Sequence, residues 1–321
     1  MDWRFITLAE IDLTDRTFEI GEFAAATRLN ESLARFGILD APWLCRKGGE
    51  HIVIDGFKRL RWAKENGTRG TVCRMFPEDY GTREIWTQRI EKKIFEREIN
   101  LAEKAQIIST LLEVFRPEEI PRFFLSELKV SNRPEVLRNW ALLSTWRPED
   151  LQILASGAIA ERAAFETAGW DEGSRDSVLR VLQALRCSAS IQVEIVESIG
   201  EIAIREEKAG ADVIDAPGAR EIIGAKGLNH RQKTQALRKF LFELRHPRLS
   251  SRQRRFKQES EGVGLPAEVK IIPPPAFEGS SWRLELSFTG VRELCKILES
   301  TRPIVQSGRL DAILKPGLDK E

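Results

Sequence analysis

Histidine is scarce in this chain: His51, His230 and His246 are the only three in 321 residues, and they stand far apart. That spacing leaves no histidine-based zinc site or catalytic triad visible. The four cysteines, Cys45, Cys73, Cys187 and Cys295, are equally scattered and lack metal-ligand spacing. They are expected as free, mostly buried thiols in a reducing cytoplasm. No apolar run approaches membrane length, and the opening MDWRFITLAEID lacks the pattern of a secretory leader. An excess of one charge is missing as well. With 50 Lys and Arg against 49 Asp and Glu the net charge is +1, so any nucleic-acid surface must be local and balanced by acid elsewhere. What remains is an ordinary globular composition, 42% hydrophobic and 31% charged, at a length that predicts two or three domains.

The most informative stretch is residues 50–63, EHIVIDGFKRLRWA. His51-Ile52-Val53-Ile54 has the β-branched, apolar character of a strand, Asp55-Gly56 breaks it, and Leu60, Ala63 and Lys64 follow at helical spacing. Lys58, Arg59 and Arg61 fall in the first helical turns, where backbone N–H groups point outward and the helix dipole favours an anion. Gly56 lets the backbone approach that anion. Together Gly56, Lys58, Arg59 and Arg61 describe a phosphate cradle. A strand–glycine–helix turn with a solvated basic surface is the plain alternative, and spacing alone leaves both open.

Around that stretch the pattern is mixed α/β. Ile6 and Leu8 belong to a first strand. Leu29, Leu33 and Phe36 share a helical face that Gly37 stops. Trp43-Leu44-Cys45 pairs with Ile52-Val53-Ile54 across Lys47-Gly48-Gly49, Asn66-Gly67 closes the central helix, and residues 71–76 form another strand. From Thr82 to Phe115 the pattern is helical. Residues 117–160 read as a helix–turn–helix: Ile120, Phe123, Phe124 and Leu128 on one face, a turn at Val130-Ser131, then Val136, Leu137, Trp140 and Leu143. Ser131 or Asn132 is expected to cap the second helix, with Pro134 in its first turn. Arg133, Arg138 and Asn139 are placed to reach base edges or phosphates, the alternative being a hairpin that only packs.

Residues 175–225 are helical and acidic, whereas 228–257 carries ten Lys and Arg against one acid, Glu243. Leu237, Phe240, Leu241 and Leu244 give that segment an apolar face, leaving Arg252, Arg254, Arg255 and the other cations for nucleic-acid phosphates or for the acidic helices before it. Residues 259–264 read as a linker. Two alternating strands, at 269–272 and 282–288, and a helix from Val291 to Ser300 follow, and the last dozen residues are expected to fray. A strand–strand–helix unit of that size buries its own core poorly, which predicts pairing with a second copy.

Gly56-Phe57-Lys58-Arg59-Leu60-Arg61-Trp62-Ala63 resembles the Gly-Glu-Arg-Arg-x-Arg-x-Ala box of the ParB family, chromosome- and plasmid-partitioning proteins whose N-terminal domain shares its fold with sulfiredoxin. Residues 29–42 resemble the family's first box. Residues 95–105 resemble its third, with Arg97, Asn100, Glu103 and Ala105 matching after a one-residue deletion. Residues 130–163 resemble its helix–turn–helix unit, with Lys129 where the family has a turn glycine. By this resemblance Arg97 joins the phosphate-binding set. Two departures bear on chemistry. The Glu-Asn pair that helps hold metal and triphosphate in CTP-hydrolysing relatives falls near Lys92 and Lys93, and lysine does not ligate Mg²⁺. Phe57 replaces the family's Glu, and it also stands where sulfiredoxin has its catalytic cysteine.

The resemblance implies an α+β protein. It comprises a small mixed α/β ParB/sulfiredoxin-like domain (1–115), an all-α helix–turn–helix middle that binds DNA (116–258) and a small ββα C-terminal interaction unit (266–312). It implies DNA as partner, a homodimer, a partition ATPase as a further partner, and a cytoplasmic, nucleoid-associated place with no membrane. CTP or another nucleoside triphosphate is the implied ligand, with no metal and no catalytic residue assigned. The alternative is an enzyme on the same fold, a CTP hydrolase or a small-molecule kinase, for which Asp55 or Glu50 would be the carboxylate base.

Overall fold

The computed structural model describes residues 2–21, 23 and 27–314, and its fold is α+β. It divides into two compact units, 1–203 with 207–234, and 204–206 with 235–321.

The first unit opens on a five-stranded sheet. Its strands are β1 (Asp2–Thr7), β2 (Ile11–Asp12), β3 (Trp43–Lys47), β4 (Glu50–Asp55) and β5 (Gly70–Met75), in the order β1-β5-β3-β4-β2. Leu8, expected in the first strand, instead begins a 3₁₀ turn (Leu8–Glu10) closed by Glu10, which accepts from the Thr7 amide at 3.1 Å. β3 and β4 are the expected antiparallel hairpin, Cys45 opposite Ile52 and Lys47 opposite Glu50. The two residues between them, Gly48 and Gly49, have φ of 60° and 92°, the mirror-image turn whose twist matches that of the strands. Helix α1 (Thr27–Phe36) ends at Gly37, whose N–H bonds the Leu33 carbonyl at 2.9 Å with φ at 71°. Helix α2 (Phe57–Glu65) follows β4 directly and buries Phe57, Leu60 and Ala63. Ile6, Leu44, Val53, Phe57, Leu60 and Cys73 form the core of the sheet with its helix.

Two helices then follow the sheet, α3 (Thr82–Glu96) and α4 (Leu101–Val114). They are separate because Asn100 starts α4 with a reciprocal cap: its Oδ1 accepts from the Glu103 N–H at 3.0 Å while Glu103 accepts from the Asn100 N–H at 3.3 Å. The helical region continues with α5 (Arg122–Glu127) and α6 (Pro134–Ser144). Beyond them lie α7 (Pro148–Ala155), α8 (Glu161–Thr167), α9 (Glu172–Leu185), α10 (Ala189–Arg205), α11 (Gly210–Ile214) and α12 (Pro217–Gly224). α4 packs on α6 and α7, and Trp140 is fully buried with its ring edge-on to Phe165 at 4.9 Å.

The α5–α6 turn is a helix C-terminus of Schellman type: the Val130 N–H reaches back to the Leu125 carbonyl at 2.8 Å and the Lys129 N–H to Ser126 at 3.0 Å. Lys129 occupies its left-handed position with φ of 54°. The cap of α6 differs from expectation. Arg133 rather than Ser131 or Asn132 is the N-cap, and no side chain caps it, because Pro134 at the first helical position already removes one orphan donor.

The basic segment is two helices, α13 (His230–Arg245), which belongs to the second unit from residue 235 on, and α14 (Pro247–Val263), broken at His246-Pro247 because proline cannot continue the first. Residues 259–263, expected as linker, are the last turns of α14. Gly264 ends it with φ of 75°, and Val263, 3% exposed, holds those turns in the core. β6 (Val269–Ile272) and β7 (Arg283–Leu286) pair antiparallel, and α15 (Val291–Gln306) runs beyond Ser300 through Pro303. The small core is not left to these elements alone. Val263 of α14 meets Leu310 and Ile313 of the closing turn and α16 (Asp311–Leu314), with Phe256, Trp282 and Ile304 against them. Residues 310–314, expected to fray, are therefore part of the core, while 315–321 lie outside the described residues. The core being completed within the chain removes one reason for expecting a second copy.

Candidate functional site

The site is built where β4 ends. Asp55 is its last residue, and Gly56 turns the chain into α2 with φ of 95°. A Cβ there would lie 3.0 Å from Pro42 Cβ and 3.1 Å from Pro42 Cα, so both backbone angle and space demand glycine. Gly56, as N-cap, supplies no side-chain acceptor to the first amides of α2. Asp55 is buried, and three cations converge on it. Arg59 Nη2 donates to its Oδ2 at 2.7 Å, Lys92 Nζ to the same oxygen at 2.7 Å, and Arg89 Nη2 to Oδ1 at 3.1 Å. Arg89, Lys92, Lys93 and Glu96 stand at helical spacings of three, four and seven, which places all four on the face of α3 turned to this end of the sheet.

Two more exposed acids complete the group. Asp40, in the loop before β3, accepts from Arg59 and, at 3.1 Å, from Lys92, and Glu96 pairs with Lys92 at 3.1 Å. Lys92 also lies 4.5 Å from the Trp43 ring centre. Burial alone would raise the Asp55 pKa, but Arg89, Arg59 and Lys92 override it and hold the carboxyl at about 2. Desolvation opposes the charges of Arg59 and Lys92 too, and Asp55 reverses that, raising both. For Arg89 desolvation prevails and lowers the pKa, though a guanidinium stays charged. Arg89 Nε and Nη1 are buried with no partner among the described residues.

Asp40, Asp55 and Glu96 also have metal-ligand spacing, with one oxygen of each within 4.8 Å of the others. The Lys92 ammonium contacts all three, so a tethered cation already sits among these carboxylates. Asp55 ionised at such low pH is poorly matched to base catalysis near neutrality. Glu50 is exposed, at the hairpin.

A second buried carboxylate lies alongside. Glu103 pairs with Lys93 at 3.0 Å and takes both arms of Arg97, one at 3.0 Å, while Lys93 also donates to the Ile20 carbonyl at 3.1 Å. Desolvation lowers the Lys93 pKa. Arg97 is thus engaged by Glu103 and not by Asp55. Of the residues expected in the cradle, Gly56 is the N-cap of α2 and Lys58, Arg59 and Arg61 lie in its first two turns. Lys58 is half-buried, and Arg61 donates to Glu19 Oε1 at 2.9 Å. Phe57, 5% exposed, points into the core. The cysteines of this region are sheet residues, and burial pushes the Cys73 thiol up to about 11.

Sequence reasoning missed Asp40, Arg89, Glu96 and the central role of Asp55. The four-residue spacing of Lys92 and Glu96 is visible in the sequence, but nothing local joins them to Asp55. The Asn100–Glu103 cap, by contrast, carries a readable signature.

Two other groups were expected to meet nucleic acid. Arg133 is exposed beside Ser131 and Glu135, Arg138 is exposed on α6, and Asn139 is half-buried. On α14, Arg254 and Lys257 are exposed, whereas Arg252 lies 5.2 Å from the Phe277 ring centre and Arg255 donates to Glu259 at 2.7 Å. Among the described residues no helix is long and apolar enough to cross a membrane.

No family model and no curated protein matches the sequence. Among solved structures, the chain is similar to the C-terminally truncated chromosome-partitioning protein ParB from Caulobacter crescentus complexed with CTP-γ-S, at 18% identity over 57% of this chain and 99% of that one, with a TM-score of 0.24. It is also similar to a Pnob8-like ParB-N domain, at 12% identity over 74% of this chain and 97% of that one, with a TM-score of 0.37.

Proposed function

We propose that this chain is a ParB-like DNA-binding protein whose N-terminal domain (1–115) binds the phosphates of CTP or another nucleoside triphosphate at the Gly56 turn, without metal and without turnover. One observation carries the reading: Arg59, Arg89 and Lys92 converge on buried Asp55, while the two other acids on them, Asp40 and Glu96, are exposed. Asp55 is the fixed counter-charge that orients the cations. Asp40 and Glu96 are the groups a phosphate would displace, keeping the charge-assisted bonds while changing the acceptor. Lys58, at the opening of α2, adds a further cation beside the helix amides. Lys92 supplies among the carboxylates the positive charge a metal would otherwise bring, so the site has no role left for one.

DNA is the partner this reading assigns to the helical region (116–258), through Arg133, Arg138 and Asn139 on α6 and the outward cations of α14. The C-terminal unit (266–312) is assigned to self-association, supported by Val291, Leu298 and Val305, which stand exposed at seven-residue spacing on α15.

The test is a titration of the full chain with CTP, ATP and GTP, each with and without duplex DNA, alongside a phosphate-release assay. Saturable binding that falls about tenfold or more in Arg59→Ala, with no Mg²⁺-dependent release, is expected. Affinities unchanged in Arg59→Ala would return the turn to a structural ion cluster. Release that depends on Mg²⁺ would replace the binding reading with the hydrolase.

A further inference from the structure

The second unit holds a half-open cavity of about 790 Å³ that the N-terminal reading does not use. It lies between the first turns of α14 and the connection from β6 to β7, and its volume is that of a site for a small organic molecule. One wall is aromatic: Phe256, Phe277 and Trp282 stand with ring centres 5.5, 5.7 and 6.3 Å apart. The other is cationic. Arg248, Arg252 and Arg255 line it at spacings of four and seven on α14, and therefore on one face. Arg255 is held by Glu259, whereas Arg252 reaches the aromatic wall, its guanidinium 5.2 Å from the Phe277 ring centre. The backbone is strained to make this wall. Ala276 and Phe277 have φ of 53° and 60°, two consecutive L-residues in the left-handed region, and the strain places the Phe277 ring, 8% exposed, between Phe256 and Arg252.

We infer that this cavity binds a nucleotide, its base against the aromatic wall and its phosphate on Arg248 and Arg252 near the start of α14. A flat ring offers the aromatic side chains a stacking or edge partner. Phosphate takes paired donors from arginine, and the amides that open α14 add to the same pole. The ligand is either a free nucleotide or the phosphorylated end of a strand. Both present the same chemistry to the cavity.

Calorimetric titration of the full chain with AMP tests this, with ribose 5-phosphate as the probe lacking a base and a 5′-phosphorylated oligo-dA as the strand. AMP is expected to saturate, with ribose 5-phosphate at least about tenfold weaker for want of the base. In an Arg59→Ala background, which takes away the phosphate contact of the Gly56 turn, Arg252→Gln and Arg248→Gln should each still weaken AMP about tenfold, with the melting temperature reporting that the fold is kept. A 5′-phosphorylated oligo-dA that binds more tightly than the same strand without the phosphate, and loses that margin in Arg248→Gln, assigns the cavity to a strand end, and the lack of such a margin assigns it to a free nucleotide. AMP that fails to saturate, or AMP affinity indifferent to both arginine variants, overturns the inference.

Discussion

The Lys92 ammonium lies 2.7 Å from the carboxylate of Asp55, 37 residues before it in the chain, and that contact ties α3 to the end of β4. Asp55 is the hub, with Arg59 and Arg89 on it as well. The four side chains are largely shielded from solvent, so each pair stands or falls with the others.

Asp55→Asn should therefore destabilise the fold by about 3–5 kcal/mol, because it leaves several buried cations without their counter-charge. Urea unfolding measures this. A loss under about 1 kcal/mol would mean that Asp40 and Glu96 re-form the group without it.

The same residue sets an acid dependence. The Asp55 pKa falls from an ordinary 3.8 to about 2 in the fold, so the native state binds this proton less readily than the unfolded chain. Its contribution, on the order of 2–3 kcal/mol, is present in full above the unfolded value and is lost as the pH drops through the folded one. Stability measured from pH 6 to pH 2 should decline more steeply in the parent than in Asp55→Asn. Parallel curves would show that Asp55 does not carry it.

Asp40 contributes at the surface of the cluster, where it occupies donors of Arg59 and Lys92 that a phosphate would need. Asp40→Asn is expected to raise phosphate or nucleotide affinity at the turn by about three- to tenfold while leaving the fold intact. Calorimetry with CTP reads the change. Weaker binding in Asp40→Asn would make Asp40 part of the ligand site rather than a competitor for it.

How far this was legible follows from sequence distance. Strand β4, Gly56 and α2 lie within sixteen residues, and local periodicity with one glycine locates them. The hairpin is equally local, because Gly48-Gly49 marks its turn. The ion cluster is not: Asp40, Asp55, Arg89 and Lys92 come from a loop, a strand end and a helix, and only the closed fold brings them together. Lys92 and Lys93 stand out in the sequence as adjacent cations in a helical stretch, yet the acids that neutralise them do not. In the second unit, Gly262 and Gly264 give 259–264 the look of a linker. Val263 reverses that by burying itself against Leu310 and Ile313.

Lys129 offers a stability test outside the cluster. Its φ of 54° costs an L-residue roughly 1–2 kcal/mol, part of which glycine regains. Lys129→Gly should stabilise the chain by about 1 kcal/mol, and Lys129→Ala, which keeps a Cβ, should not. Denaturant midpoints distinguish them. Equal midpoints for the two would show that the turn relaxes around its side chain.

For DNA, the two basic surfaces should behave differently. Arg254→Glu with Lys257→Glu is expected to weaken specific and random duplexes alike. It should also flatten the logarithmic salt dependence by about 0.9 for each phosphate no longer neutralised. Arg138→Ala or Asn139→Ala should instead narrow the gap between preferred and random sites. Mobility assays across a salt series separate the outcomes. An unmoved salt slope together with a lowered melting temperature would assign the α14 cations to packing.

The matched charges at the Gly56 turn bear on how fast a ligand arrives. Arg59, Arg89 and Lys92 face Asp55, Asp40 and Glu96, so at distances beyond a Debye length the group projects almost no field. On the proposed reading, a triphosphate would not be drawn in from afar and would meet attraction only at close range, as the acids give way. Association should then proceed at an ordinary, unsteered rate that hardly responds to ionic strength, with salt acting on escape instead. Stopped-flow mixing at two salt concentrations would show it, and an on-rate that collapsed with added salt would reveal a steering field these pairs do not provide.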